Sequence, residues 1–198
     1  SIEGSEFTFG AGDGKIIAQY EDQGIILPNS NKDGYTVEGW YNEDGEKVGE
    51  VGDKYVPDGD EKLIVSWTAN SYTIVLDGNN ATSRNTVELD MIYDEPQELP
   101  EKPFTRDGYE FIGWSSDKEA ISPEYADRDT VNNLTIENNG TVTLYALWKK
   151  TIIIKYDANG GDGEPGSQSG TMYNSTVSVD IKLSSTIPTR TGYTFSGW

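Results

Sequence analysis

The stretch DANGGDGE, residues 157–164, gathers the oxygen-bearing side chains of Asp157, Asn159, Asp162 and Glu164 in one short run. Hard oxygen ligands at close spacing are what Ca²⁺ takes. An EF-hand loop, however, needs D-x-[DN]-x-[DN]-G with a Glu much further on, and that order is absent. Asn-Gly after an apolar strand is instead a hairpin-turn signal, and the stretch is read as a turn. DGDE at 58–61 is a weaker candidate of the same type. Lys155, inside the apolar run IIIKYD, has the setting of a lysine that condenses with an asparagine to an isopeptide bond. Strand alternation equally lets Lys155 face solvent, and no buried Asn with an adjacent carboxylate can be picked out as its partner.

Other chemistry is limited by what the chain lacks. It holds no His and no Cys. The commonest general base, the commonest metal ligand and all thiol chemistry are therefore missing. Carboxylate pairs for glycoside hydrolysis are abundant among 34 Asp and Glu, but nothing singles one out. No catalytic residue, metal site or cofactor is expected, and the chain is read as a non-enzyme. With 15 Lys and Arg the net charge is −19, which disfavours nucleic acid and anionic membrane surfaces as direct partners. No apolar run approaches a membrane span and the N-terminus lacks signal-peptide regions. Four N-x-[ST] sequons, at Asn80, Asn133, Asn139 and Asn174, are expected from chance in so Asn-, Ser- and Thr-rich a chain.

Aromatic residues are the remaining candidates. Trp40, with Tyr41 beside it, and Trp114 can serve as platforms that stack a sugar ring or a partner's aromatic group. Both tryptophans end near-copies of one string: NKDGYTVEGW at 31–40, TRDGYEFIGW at 105–114 and TRTGYTFSGW at 189–198. In an extended strand Tyr109, Phe111 and Gly113 point to one face and Trp114 to the other. If the Tyr/Phe face is core, Trp114 faces outward, unless Gly113 forms a bulge that turns it in. Recurrence in every copy suits a core requirement, although a repeated weak site acting through avidity would recur too.

The repeated string sets the organisation. Upstream of each copy lie a Tyr and then a Pro: Tyr20 with Pro28, Tyr93 with Pro100, Tyr173 with Pro188. Downstream of the first two come KLIVSW, ending at Trp67, and VTLYALW, ending at Trp148. Each unit opens on an apolar strand, FTFGAGDG from 7, YTIVLDGN from 72 and TIIIKYDANGG from 151. The units are residues 1–69, 70–150 and 151–198, the third expected to lack the counterpart of residues 115–148 and to have its end frayed or completed by a neighbour. The chemistry of the runs is that of β-strands; the one helix expected is a short one over SPEYADRD, 122–129, capped by Ser122 with Pro123 at its first position. The joints TANS and KKT are too short to let units reorient, which predicts an elongated, semi-rigid rod.

YDANGG, the Leu-Pro pair, PFTRDGYEFIGW and VTLYALW in this order resemble the Listeria-Bacteroides repeat family. Unit one departs from the pattern, with FGAGDG in place of YDANGG and Val37 in place of Phe. The resemblance implies a mainly β, α+β, β-grasp-like fold in tandem, within long extracellular proteins of the bacterial cell surface. It implies a spacer or stalk role, in an adhesin, with other domains of the same surface protein as partners. The alternative is an adhesive module that binds a host or cell-surface glycan or protein through Trp40, Tyr41 and Trp114. It implies no active-site residue.

Overall fold

The structure is a computed structural model that describes residues 24–198. The expected opening strand of the first repeat and Tyr20 lie outside the described residues. The chain divides into two units: residues 24–30 with 37–66, and residues 31–36 with 67–198.

The first unit holds short ladders. Strand β1 (Ile25–Ile26) pairs antiparallel with β4 (Lys54–Tyr55), and β2 (Tyr35–Tyr41) lies between β3 (Lys47–Gly49) and β5 (Ile64–Ala69). Leu27 is its buried apolar anchor.

The second unit is built on one mixed sheet. Strand β6 (Ser71–Asp77) buries Tyr72, Ile74 and Leu76 at alternate positions, as the two-residue period of a strand requires. It pairs antiparallel with β7 (Thr86–Ile92) on one edge. On its other edge lies β11 (Gly140–Ile154), parallel to it from Gly140↔Tyr72 to Tyr145↔Asp77. Strand β9 (Glu110–Ser115) takes the far edge of β11, antiparallel, and β12 (Gln168–Tyr173) pairs antiparallel with residues 149–154. A small ladder of β8 (Gln97–Glu98) and β10 (Thr130–Val131) stands beside the sheet. The core under the sheet joins Tyr72, Ile74, Leu76, Met91, Phe104 and Trp114 to Leu144, Ala146 and Trp148.

Two expectations change. First, the described chain is all-β: no helix forms among the described residues, so the α component is absent. In the segment expected to be helical, the carbonyl of Tyr125, which a helix would offer to residue 129, instead accepts the N–H of Trp114 at 2.8 Å. The Ala126 N–H is taken by the Asp129 side chain at 2.6 Å. Cross-strand pairing has outcompeted a single helical turn, whose nucleus is costly. Second, KKT is not a connecting segment. Lys149, Lys150 and Thr151 lie inside β11, which runs without a break from the end of the second repeat into the third.

Candidate functional site

The three basic-x-Gly-Tyr strings fold alike. Gly34, Gly108 and Gly192 take φ of 75°, 75° and 81°, and the Tyr N–H donates back to the carbonyl of the basic residue at 3.0, 3.0 and 3.1 Å. This is a β-turn whose third position needs positive φ, which glycine adopts without a Cβ clash. The same turn lays the cation over the tyrosine ring: Lys32 at 3.3 Å from the Tyr35 centroid, Arg106 at 3.9 Å from Tyr109 and Arg190 at 4.3 Å from Tyr193.

Beyond the turn, a bulge decides where the tryptophan goes. Leu147 pairs with Gly113 but Trp148 pairs with Phe111, so Ile112 is one residue extra and Gly113 takes φ of 133°. The extra residue resets the alternation, and Trp114 and Phe111 come to the same face. Their rings meet edge-on at 5.1 Å, and Phe111 meets Trp148 at 5.6 Å. Trp114 is 0% exposed. The outward platform considered for Trp114 is therefore corrected: the bulge turns the ring into the core, where Phe104 also packs on it at 5.9 Å. Its Nε1 is a buried side-chain atom without a hydrogen-bond partner.

Trp40 and Tyr41 lie on β2, both half-buried. The Trp40 Nε1 donates to the Pro28 carbonyl at 2.9 Å, which holds the indole while leaving part of it in solvent. Partial burial, followed by a hydrogen bond with Glu38 and that carboxylate's charge, pushes the Tyr41 phenol above its ordinary range. These two adjacent residues are what remains of the aromatic platform; Trp114 takes no part in it.

The calcium-like stretch is a turn. Asn159 and Gly160 both have positive φ, Gly161 N–H donates to Ala158 O at 3.0 Å, and Asp157 Oδ1 accepts the Asn159 N–H at 2.8 Å. It is not the tight connection of a hairpin, since the partner strand β12 begins only at Gln168. Lys155 is exposed. Among the described residues no group of three or more His, Cys, Asp or Glu is placed to hold a metal ion, and no helix is long and apolar enough to cross a membrane.

Sequence reasoning missed the buried asparagines. Asn70, in the TANS joint, donates from Nδ2 to Ile136 O at 2.7 Å and accepts the Thr36 hydroxyl at 2.6 Å. Asn174, beside the second joint, accepts the Trp148 N–H at 3.0 Å, donates from Nδ2 to Ala120 O at 2.5 Å, and gives its carbonyl to Arg106 Nη1 at 2.7 Å. With its amide buried and bonded, Asn174 presents no sequon to solvent. Their signal was modest: an Asn-Ser pair beside each joint, at 70–71 and 174–175.

What the arrangement offers is a set of repeating modules whose polar groups are spent on joining strands. The chain belongs to the Listeria-Bacteroides repeat family: the family model matches residues 6–64, 72–147 and 153–198. It is 28% identical over 188 residues, 89% of the chain, to a protein of Evansella cellulosilytica described as "Putative Gly-rich membrane protein". A second protein of that bacterium, described as "Putative membrane protein", is 26% identical over 119 residues, 59% of the chain. The chain spans 20% and 17% of those relatives, about a fifth of each. No solved structure matches.

Proposed function

We propose that the chain is a non-catalytic spacer in a bacterial cell-surface protein, holding other domains of that protein away from the envelope. The observation that carries the reading is β11, one strand shared by the second and third repeats, with Asn174 and Arg106 tied across the same joint. A strand that continues through a joint cannot hinge there without breaking its ladder, which suits a stalk. The relatives' descriptions as membrane proteins support placement at the cell envelope, on its extracellular side. The strand order β7-β6-β11-β9, with a parallel central pair, supports the β-grasp-like reading, an irregular crossover standing where that fold carries a helix.

Small-angle scattering tests the rod. A compact globule of 198 residues has a radius of gyration of about 16 Å. A value well above that is expected, and one near it would overturn the stalk. The half-exposed Trp40 and Tyr41 favour a second reading, an adhesin that binds glycan or host protein. Polysaccharide retardation abolished by Trp40→Ala would support it, and retardation unchanged by that substitution would remove these residues from the role.

A further inference from the structure

In the second repeat β11 lies between β6 and β9 and pairs with both. The counterparts of those flanking strands in the third repeat are Thr151–Ile154 and Tyr193–Trp198. Thr151–Ile154 pairs with β12 along one edge, the counterpart of the β6–β7 pairing. Along its other edge, among the described residues, no strand is paired, and Tyr193–Trp198 has no strand partner either. Unpaired strand edges are templates for adding a strand.

The side chains of a completed repeat are already in position. Phe195 and Trp198 meet edge-on at 5.3 Å, as Phe111 and Trp114 do at 5.1 Å, and Trp198 packs on Tyr156 at 4.7 Å. Yet Trp198 is 40% exposed where Trp114 is 0% exposed. In the second repeat the covering strand supplies Ala146 and Trp148, the latter against Phe111.

Its polar anchors also have counterparts. Trp148 Nε1 donates to Gly78 O at 2.9 Å, and Asn79 Nδ2 donates to Ala146 O at 2.9 Å. Gly78 and Asn79 belong to the turn that Ala158 and Asn159 repeat: φ is 44° at Asn79 and 49° at Asn159, each Asn N–H donates to the preceding Asp side chain, and the i→i+3 bond is 3.0 Å in both. Ala158 and Asn159 line a concave site of about 230 Å³ together with Arg190, Phe195 and Trp198.

We propose that the third repeat presents a strand-acceptor site, and that its occupant is an extended peptide segment with the alternating pattern of VTLYALW, residues 142–148. The segment runs parallel to Thr151–Ile154 and antiparallel to Tyr193–Trp198. Its terminal Trp covers Phe195 and donates to Ala158 O, while the Asn159 amide donates to its backbone. Affinity comes from two new ladders and register from the alternating side chains.

The test adds the synthetic peptide GTVTLYALWKK, residues 140–150, to the intact chain and follows amide exchange by NMR. With free peptide at about 100 times its Kd, exchange at Ile152–Ile154 and Phe195–Trp198 is expected to slow by about 100-fold. A peptide with Trp148→Ala is expected to bind at least about 10-fold more weakly, since each tenfold corresponds to about 1.4 kcal/mol and a buried aromatic contributes more than that. No slowing, slowing matched by a scrambled peptide, or slowing at residues 72–77 instead would overturn the proposal. Slowing that grows with protein concentration in the absence of peptide would assign the site to a second copy and overturn the stated occupant. Scattering from the chain without peptide tests the spacer reading separately.

Discussion

Gly113→Ala probes the bulge that turns Trp114 inward. At φ of 133° an L residue is strained, at a cost of about 1–3 kcal/mol. The new Cβ would also lie 2.5 Å from Tyr125 O and 2.6 Å from Pro123 Cβ, neither of them the end of a flexible side chain. Relieving such overpacking costs a further ~1–3 kcal/mol, so the sum is ~2–6 kcal/mol. Gly108→Ala is the reference substitution. It too has positive φ, 75°, but its Cβ would meet only the end of the Lys150 side chain, at 3.5 Å, so the cost is about 1–2 kcal/mol. Urea unfolding followed through amide signals of β6 and β11 reports the relevant unit. With a urea slope of roughly 2 kcal/mol per M, Gly113→Ala is expected to lower the midpoint by about 1–3 M and Gly108→Ala by less than about 1 M. An equal or smaller effect for Gly113→Ala would refute the argument that the bulge is held closed by Pro123 and Tyr125.

Asn174→Ala leaves the buried Trp148 N–H and the Ala120 carbonyl without their partners and is expected to cost ~2–4 kcal/mol by the same unfolding measurement. Glu124 supplies a pH test: the Ser116 hydroxyl, with help from the Ser115 hydroxyl and the Ser116 backbone, holds its carboxyl below 4.5 against the opposing effect of burial. A depressed folded-state value means that its contribution to stability is present above the unfolded value and is lost as pH falls through the folded one. An NMR titration is expected to place Glu124 below 4.5 and Ser116→Ala to move it upward; no movement would remove the serine as the cause. Asp94, held down first by Asn133 and then by the Tyr35 hydroxyl, has the same sign, so acidification is expected to loosen the Tyr35 contact as well.

Local backbone chemistry was legible in the chain itself. Basic-x-Gly-Tyr has one economical conformation, because the third turn position excludes a Cβ, and all three copies adopt it. Alternating apolar residues in YTIVLD and VTLYALW made β6 and β11 recognisable, since a two-residue period leaves one face to bury. Repetition of these strings carried the family. The helix over 122–129 was misread because a cap and a proline are weak signals beside a carbonyl that a neighbouring strand can claim.

What tertiary structure decided are the choices for which the sequence held two answers. Trp114 ends the same string whether it faces in or out; the one extra residue at the bulge, set by how β9 meets β11, put it inside. KKT reads as a linker until β12 pairs with it, because a Lys-Lys-Thr run satisfies an exposed strand as well as a turn. Asn70 and Asn174 are ordinary polar residues in the sequence, and only the packing of neighbouring repeats removes them from water and makes their amides obligatory hydrogen-bonding groups. Trp114 and Trp198 end like strings and differ in exposure, because burial belongs to the strand that covers a residue and not to the residue alone.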